Sequence, residues 1–575
     1  MKKIQKLLMS LMMSMTMVAC SSNSGTYTAG TYDATATGRN GDVTLHVTFS
    51  TSEIESITSE HEETSGIGDS AITSLIEETI STQSIPEAVS GATVSSNAYI
   101  EALKDTIKQA GGDPDSMVAI EDGKETIDYQ TEADIIVVGA GAAGMSAAVT
   151  ASQEGRSVIL LEKSSTTGGN TPAAANGINA ADSKAQLDNE EYKEKGASEE
   201  GLKEVQMQND HAREELVDAF VENSGELIDW YSDMGVEFEP EFSEDDRNTV
   251  QNNYMLQARA DGSTGITMIN AITAALKETD VILYTGVDAT KLVVEDGKVT
   301  GVSATDENGK EITFTGKNVL LATGGFGHNN ELIAEYAPEL ANCTTDEIAP
   351  TTGEGLEMAL AVGAKAVDLG EIQTFPVVVE GYGMLTPNKL PGGFGVSAII
   401  VNDDAERFTA EAFEIGDAIL EQPEGHAYMI FTEEQMNDDL QTLVDGGYIV
   451  SADTVEELAN GLGLDAEALE KTVKEYNEDI ADGTDDAFGK EDPITITGKL
   501  YGFQYGVGAH YFMGGILINE KTQVLDENEE PIEGLYAAGE VTGGFHGTQR
   551  IDGSGLGDSF VFGRIAGKQL AEVSK

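Results

Sequence analysis

The chain has 575 residues but little cysteine, little tryptophan and few basic side chains. Its only cysteines are Cys20 and Cys343, and no Cys-x-x-Cys-His sequence occurs, which excludes a disulfide framework and covalent haem attachment. Lysine and arginine number 33 against 101 aspartates and glutamates, giving a formal net charge of -68. Such a charge repels nucleic-acid phosphates, so we expect no nucleic-acid partner. The acidic pairs do not follow EF-hand spacing, and we expect no metal site.

Residues 1–24 have the pattern of an export signal followed by a tether. Three lysines within the first six residues precede an apolar run over residues 7–19, which is too short to span a bilayer as a helix. Cys20 follows in Met-Val-Ala-Cys-Ser-Ser, which resembles a bacterial lipoprotein cleavage box. The resemblance implies lipidation of Cys20 and a protein anchored on the outer side of the cytoplasmic membrane.

The remaining sequence predicts three folded units. Alternating apolar and polar residues over Gly30 to Ser59 predict strands, and helical periodicity follows at Ala71 to Ser81 and at Asn97 to Ala110. These elements form a small α+β module. The predicted divisions are residues 25–112 for this module, 113–131 for a linker, 132–369 and 508–575 for the two parts of an α/β domain, and 370–507 for an α+β cap inserted into that domain.

A glycine-rich turn marks the start of the α/β domain. The apolar strand ending at Val138 leads into Gly139, Gly141 and Gly144, and a second strand ends at Glu162. The glycines let a backbone approach a pyrophosphate at a helix N-terminus, and a carboxylate at the position of Glu162 accepts hydrogen bonds from ribose hydroxyls. This βαβ unit predicts a Rossmann-like domain that binds a dinucleotide.

Three further motifs identify the dinucleotide. Gly168-Gly169-Asn170-Thr171, Ala322-Thr-Gly-Gly-Phe-Gly327 and Gly539-Glu-Val-Thr-Gly-Gly544, in this order, resemble the flavoprotein family of fumarate reductase and succinate dehydrogenase. The resemblance covers residue 134 to the C-terminus and implies non-covalent FAD, with Glu540 beside the flavin and Ser554 to Leu556 near the isoalloxazine. The implied cofactor-binding residues are Gly139, Gly141, Ala143, Gly144, Glu162, Lys163, Gly169, Asn170, Thr171, Gly177, Ala322, Thr323, Gly324, Gly325, Glu540, Ser554, Gly555 and Leu556.

The N-terminal module carries a second flavin signature. Ser90-Gly91-Ala92-Thr93 resembles the attachment motif of covalent FMN-binding domains, although Glu87 stands where that family usually has aspartate. The resemblance implies a phosphoester between Thr93 and FMN, with Ser90 in the motif, installed by a separate flavin transferase. A helix N-cap over Ser90 to Ser95 is the alternative interpretation.

The two signatures together resemble exported fumarate and urocanate reductases that feed FAD through FMN. The chain departs from the fumarate-type site of that family. Thr374-Phe375-Pro376 replaces a histidine-containing segment, the stretch Glu411 to Gly416 lacks the proton-donating arginine, and Leu390 to Phe394 lacks the glutamate and arginine of the proton relay. Arg550 alone stands where an arginine that binds substrate is expected. Fumarate is therefore not the expected acceptor, because each charged hydrogen bond lost removes roughly 1.5–3 kcal/mol of binding.

Aromatic side chains take the place of the missing cations. Phe375, Phe394, Tyr511 and Phe512 predict a bulky, partly apolar acceptor whose single carboxylate reaches Arg550, although aromatic residues in a cap also form cores. Tyr511 is the first candidate for the proton donor, because a phenol can protonate a developing enolate carbon if its neighbours lower its pKa. The fallback candidates are Tyr501, His510 and Arg259.

The sequence thus predicts a reductase that adds a hydride and a proton to a C=C bond conjugated to a carboxylate or carbonyl. The expected acceptors are cinnamate-like or urocanate-like acids or enones, and the expected donor is quinone-linked or flavin-linked at the membrane. Two alternatives stay open at this point. One is a dehydrogenase that introduces unsaturation into a ketone such as a steroid, and the other is a non-catalytic electron-transfer flavoprotein.

Overall fold

The computed structural model divides the chain into two compact units, Met1–Glu125 and Thr126–Lys575. The described residues are 27–39, 41–61, 63, 68–86, 88–89, 92–114, 117, 127–174, 177–188, 190, 198–241, 255–258, 263–341, 343–393, 395, 397–411, 415–490 and 493–575. The predicted signal and anchor over residues 1–24, including Cys20, lie outside these ranges. The same holds for Glu87, Ser90, Gly91, Arg259, Phe394 and residues 412–414.

The first unit is a three-stranded antiparallel sheet with two helices packed on it. Its elements are β1 (Gly30–Thr37), β2 (Asp42–Phe49), β3 (Ile54–Glu60), α1 (Gly68–Thr82) and α2 (Thr93–Gln109). Alternate residues of β2 are buried with the apolar face of α2, as the period-two pattern predicts. Helix α2 begins earlier than the predicted Asn97, its N-cap residue Ala92 makes no side-chain capping hydrogen bond, and Ser95 lies inside the helix. Capping by a serine therefore does not account for the motif.

The second unit contains the remaining strands and helices. Its strands are β4 (Ile135–Val138), β5 (Val158–Leu161), β6 (Ile178–Asn179), β7 (Phe238–Glu241), β8 (Met255–Ala258), β9 (Ile282–Tyr284), β10 (Val287–Glu295), β11 (Lys298–Asp306), β12 (Glu311–Thr315), β13 (Asn318–Leu321), β14 (Thr344–Thr345), β15 (Ala366–Val367), β16 (Ile372–Val379), β17 (Gly383–Met384), β18 (Ile399–Val401), β19 (His426–Thr432), β20 (Val450–Ala452), β21 (Leu500–Phe512), β22 (Gly515–Leu517), β23 (Gln523–Leu525), β24 (Pro531–Ala537) and β25 (Thr542–Gly543). Its α-helices are α3 (Ala142–Gln153), α4 (Lys184–Leu187), α5 (Glu199–Gln206), α6 (Glu214–Asp233), α7 (Thr264–Lys277), α8 (Asn330–Tyr336), α9 (Glu354–Leu360), α10 (Gly416–Leu420), α11 (Asp438–Asp445), α12 (Val455–Leu462), α13 (Ala466–Asp479) and α14 (Ser554–Val573).

A six-stranded sheet forms the centre of the α/β part, in the order β23–β24–β13–β4–β5–β9. Strands β24, β13, β4, β5 and β9 are parallel, and every residue of β4, β5 and β13 is buried. Continuous burial is expected for parallel strands covered on both faces. Helices α3 and α14 pack closely together, and a Cβ on Gly563 would collide with the Ala143 backbone. The sequence expectation of a Rossmann-like fold is confirmed.

The inserted part is built on a second sheet, β17–β16–β21–β19–β18, with β14 and β20 also paired to β21. Tyr501, Phe503 and Tyr505 of β21 lie in its apolar core. The sequence pattern over Val455 to Asn477 predicts one helix, but the structure has two, α12 and α13, because Gly463 takes a φ of 79° and ends the first. Within the described ranges, none of the helices is long and apolar enough to cross a membrane.

Candidate active site

The glycine turn after β4 has the form that a pyrophosphate site requires. A Cβ on Gly139, whose φ is 99°, would overlap the Ala322 carbonyl oxygen, and a Cβ on Gly144 would overlap the Gly139 carbonyl oxygen. These two positions therefore require glycine. A Cβ on Gly141 would instead meet its nearest protein atom, the Gly168 carbonyl oxygen, at 3.9 Å. The turn is thus open at its middle glycine, at the N-terminus of α3.

Glu162 and Lys163 follow β5 at the same edge of the sheet. The Glu162 carboxylate accepts hydrogen bonds from the Ala140 and Ser164 backbone N–H groups, each at 2.8 Å, so it is tied to the glycine turn. Lys163 Nζ pairs with Glu354 at 2.8 Å and donates to the Thr352 hydroxyl at 2.7 Å. Carboxylates at this edge suit the ribose of a dinucleotide.

The other predicted cofactor loops converge on this edge. The Gly168 N–H donates to the Ala140 carbonyl at 2.9 Å, which brings the Gly169–Thr171 loop beside the glycine turn. Asn170 Oδ1 accepts from the Ile348 N–H at 2.8 Å, and its side chain also bonds Glu540. Gly177 lies instead beside Gly553, where α14 starts. Ala143 is a packing residue between α3 and α14.

The residues present fit a bound flavin dinucleotide. Thr323 Oγ1, in the loop after β13, is buried and has no hydrogen-bond partner among the described residues, and the same is true of Glu347 Oε1. Buried polar atoms normally have a partner, and unpartnered ones indicate a ligand or a proton that completes them. With the open turn at Gly141, these atoms fit a flavin dinucleotide held by the loops after β4, β5 and β13.

Strand β21 carries the cap sheet into the site and ends there with a β-bulge. Gln373 of β16 faces Tyr511 while Thr374 faces Ala509, so His510 is an extra residue without a partner in the register. A bulge changes the direction of the side chains that follow it and often lies beside an active site. Here it precedes Tyr511, whose ring contacts Arg550 with 5.0 Å between the guanidinium carbon and the ring centroid.

Arg550 is buried and held by two acceptors. Its Nε donates to Gln373 Oε1 at 2.6 Å, and its Nη2 donates to Asp552 at 3.4 Å. Among the described residues, none accepts a hydrogen bond from Nη1. A Cβ on Gly555 would lie 3.3 Å from Nη1 and 2.9 Å from the Tyr511 ring, so glycine is needed to let these side chains approach α14. The geometry leaves one guanidinium nitrogen for an acceptor from a ligand.

Tyr511 belongs to a buried proton network. Its hydroxyl donates to Asp558 Oδ2 at 3.1 Å and lies 3.3 Å from His546 Nε2. Asp558 and His546 are each 2% exposed. Burial raises the pKa of Tyr511 well above its usual value, the carboxylates of Asp558 and Glu540 raise it further, and Arg550 opposes them. The phenol therefore stays protonated over the physiological pH range, and its pKa is shifted in the direction opposite to the lowering expected for a proton donor.

The start of α14 is fixed by amides from two other segments. Ser554 Oγ accepts from Asn179 Nδ2 at 2.9 Å and from Gln206 Nε2, and Gly553 takes a left-handed φ of 82°. Leu556 is partly buried on the first turn. Gly555, on the same turn, lies against Arg550 and Tyr511.

Two fallback donors are placed differently. His510 Nδ1 pairs with Asp346 at 2.8 Å, and its ring packs 4.7 Å from that of Phe375. Tyr501 lies at the other end of β21, buried in the cap core and stacked on Phe431 at 5.5 Å. Tyr501 is therefore not part of this cluster, because about ten residues of extended strand separate it from Tyr511.

Several site residues were missed by sequence reasoning. They are Gln373, Asp558, Asn179, Gln206 and Glu347, and each meets its partner from a distant segment. His546, in the loop that precedes Arg550, contacts Tyr511. Across the part of the chain that is described, no group of three or more His, Cys, Asp or Glu side chains could hold a metal ion.

Comparison with known proteins agrees with this geometry. Residues 134–556 match the FAD binding domain family and residues 38–108 match the FMN-binding domain family. The chain is 31% identical over 579 residues to urocanate reductase of Eggerthella lenta, which covers 95% of this chain and 93% of that relative. It is 32% identical over 516 residues to NADH:fumarate oxidoreductase of Klebsiella pneumoniae, which covers 87% of this chain. The chain spans about half the length of that second relative, with 54% covered.

Among solved structures, the open conformation of a flavocytochrome c3 fumarate reductase superimposes with a TM-score of 0.69 and 32% identity, over 78% of this chain and 79% of that chain. The fold and site define a flavin-binding oxidoreductase. The chain belongs to the FAD binding domain family, together with fumarate and urocanate reductases, and carries an additional FMN-binding domain. The family and fold class expected from the sequence are confirmed.

Proposed function

We propose that this protein reduces a C=C bond conjugated to a carboxylate or carbonyl, and that its acceptor is aryl or otherwise bulky rather than fumarate. The observation that carries the proposal is the buried cluster of Arg550, Tyr511, Asp558 and His546 at the start of α14 in a FAD-binding fold. The names of the relatives, which include a urocanate reductase, support reduction of an acrylate that bears a ring.

The cluster supports a binding role for Arg550. Its Nε and Nη2 are held by Gln373 and Asp552, and Nη1 is left for one carboxylate or carbonyl oxygen of the acceptor. The position that Phe375 occupies supplies no cation for a second carboxylate. A monocarboxylate with an apolar ring suits this site better than a dicarboxylate does.

Tyr511 supplies the proton in this proposal. Bound and reduced FAD would supply the hydride to the β-carbon, and the Tyr511 hydroxyl gives its proton to the α-carbon. Because burial and the Asp558 charge make a phenolate at Tyr511 unfavourable, the lost proton must be replaced as it leaves. His546, 3.3 Å from the hydroxyl, can donate it from Nε2 when protonated.

The raised pKa of Tyr511 makes its phenol a weaker acid and its phenolate a stronger base, so it does not choose a direction of turnover. The names of the relatives, which are reductases, support reduction over the dehydrogenase. A non-catalytic electron carrier would not need the buried cluster around Arg550.

Several features remain part of the proposal on the strength of sequence patterns. They are covalent FMN at Thr93, a flavin transferase that installs it, a lipid anchor at Cys20 outside the cytoplasmic membrane, and a quinone-linked or flavin-linked donor. Thr93→Ala should abolish FMN that stays with the acid-denatured chain. Cys20→Ser should move the protein out of the membrane fraction; a protein still bound to membranes would count against the anchor.

Steady-state turnover tests the function. With reduced viologen as the electron donor, cinnamate-like or urocanate-like acids should be converted to their saturated products, identified by mass spectrometry, while fumarate is turned over slowly or not at all. Fumarate as the best acceptor would contradict the proposal, and consumption of no acceptor in the panel would favour the electron carrier.

A further inference from the structure

Two buried carboxyl groups face each other at the FAD site, and neither belongs to the Tyr511 cluster. Glu347 comes from the loop after β14 and Glu540 from the loop after β24. A Cβ on Gly325 would lie 3.0 Å from Glu347 Oε1 and 3.3 Å from Glu540 Oε1, so both carboxyl groups converge on the loop after β13. The two carboxyl groups are close enough for each to shift the pKa of the other.

The hydrogen bonds of the pair favour one shared proton. Glu347 is 7% exposed, its Oε2 accepts from the Gly327 N–H at 3.0 Å, and its Oε1 has no hydrogen-bond partner among the described residues. Burial and the Glu540 charge raise the pKa of Glu347 and outweigh the Thr351 hydroxyl and the Gly327 N–H, which lower it. Glu540 Oε1 accepts from the Phe512 N–H at 3.1 Å. Two ionised carboxylates are acceptors only and would repel one another in this dry position, whereas one shared proton makes one of them a donor.

We propose that Glu347 and Glu540 hold one proton between them at neutral pH, and that this proton makes the affinity for FAD depend on pH. Glu347 is then a positioning residue that acts through Glu540. The inference rests on FAD binding and not on the acceptor or the direction of turnover.

The surroundings of the pair support this assignment. The pKa of Glu347 is raised well above its usual value by burial first and by the Glu540 charge next, and the pKa of Glu540 is raised by burial. The other titratable groups that face the pair are His510, Asp346, His328 and Tyr511. His510 lowers the pKa of Glu540 and pairs with Asp346, His328 Nε2 bonds the Glu347 carbonyl oxygen, and the Glu540 charge raises the pKa of Tyr511.

Loss of the shared proton has a direct consequence for the cofactor. Glu540 also bonds Asn170, whose loop lies beside the glycine turn, so repulsion between Glu347 and Glu540 disturbs the FAD loops. Ionisation of the second carboxyl group also adds a negative charge to a site that would bind an anionic pyrophosphate. We therefore expect FAD to bind more weakly as the pH rises through the titration of the pair.

The sign of the stability effect follows from linkage. A carboxyl group whose pKa is higher in the folded than in the unfolded chain stabilises the fold at low pH. This stabilisation is lost as the pH rises from the pKa of the unfolded chain, 4.5, to the higher pKa of the folded chain. In this window the unfolding equilibrium constant should rise by up to about tenfold per pH unit.

The test uses the full chain freed of non-covalent FAD, with urea unfolding of the FAD-binding unit and FAD titration followed over a pH series. In the wild type we expect stability and FAD affinity to fall with rising pH. In Glu347→Gln, the amide can donate to Glu540 but cannot ionise. Stability and FAD affinity should therefore depend less steeply on pH than they do in the wild type. The matched control Glu339→Gln removes an exposed carboxylate and should keep the wild-type slopes.

Equal slopes in the wild type and Glu347→Gln would overturn the proposal. If Glu347→Gln does not fold, infrared spectroscopy of the wild type decides instead. A protonated-carboxyl band at neutral pH that is lost when Glu540→Gln is made supports the shared proton, and absence of such a band in the wild type refutes it. Neither measurement needs an electron acceptor, so failure here leaves the proposed function standing.

Discussion

Removal of one hydroxyl group, Tyr511→Phe, should slow the reduction of the acceptor strongly while leaving flavin binding intact. The substitution removes the proposed proton donor and its 3.1 Å hydrogen bond to Asp558. Loss of a positioned general acid slows a reaction by about 10²- to 10⁴-fold, which corresponds to roughly 3–5.5 kcal/mol of transition-state stabilisation. The buried Asp558 carboxylate also loses a donor, which costs about 1–3 kcal/mol of stability.

The assay is anaerobic stopped-flow reoxidation of the reduced protein by its best acceptor, with the FAD absorbance as the signal. Tyr501→Phe is the matched control, because it removes the same hydroxyl from the same strand in the cap core. We expect Tyr501→Phe to react at about the wild-type rate. A Tyr511→Phe variant that reacts within about threefold of the wild type, or an equal loss in both variants, would refute the assignment of the proton donor.

Two other substitutions test the site and the cap. Arg550→Gln should raise KM for a carboxylate acceptor by about 10- to 150-fold with FAD content unchanged, since a charged hydrogen bond is worth roughly 1.5–3 kcal/mol; an unchanged KM would remove Arg550 from the binding site. Arg407→Leu should destabilise the cap by about 3–5 kcal/mol in urea unfolding, because buried Glu411 and Asp485 lose the guanidinium that bonds them at 2.7 and 2.8 Å. Although burial opposes ionisation of Asp485, Arg407 lowers its pKa to about 2, so the stability from this pair should be present above the usual value of 3.8 and fade as the pH falls toward 2. Wild-type stability that is independent of acid pH would contradict this assignment.

Local sequence patterns were enough to predict the Rossmann-like fold and its dinucleotide site. The strand, the glycine turn and Glu162 lie within one continuous segment, so their spacing alone predicts the dinucleotide site. Gly463 could have predicted a helix end, because glycine is the residue that most readily takes the positive φ at which helices end. In the structure it divides α12 from α13.

The candidate site could be predicted only in part, because its partners come from distant segments. Tyr501 and Tyr511 lie on one strand, and no local pattern tells which of them reaches Arg550. The deciding features are the bulge at His510 and the position of Asp558 on α14. Nothing in the sequence marks Glu347 as a site residue, because its role depends on its contact with Glu540, almost two hundred residues later.

The most direct test of the central claim is a single anaerobic reoxidation experiment. Protein loaded with both flavins is reduced with a limiting amount of dithionite and mixed with fumarate, urocanate, aryl acrylates or enones, and the absorbance of the flavins is followed. We expect rapid reoxidation by an aryl acrylate or related ring-bearing acceptor, with fumarate slow or inert. Rapid reoxidation by fumarate alone, or reduction of the oxidised protein by a saturated ketone with no reoxidation by any alkene, would contradict it.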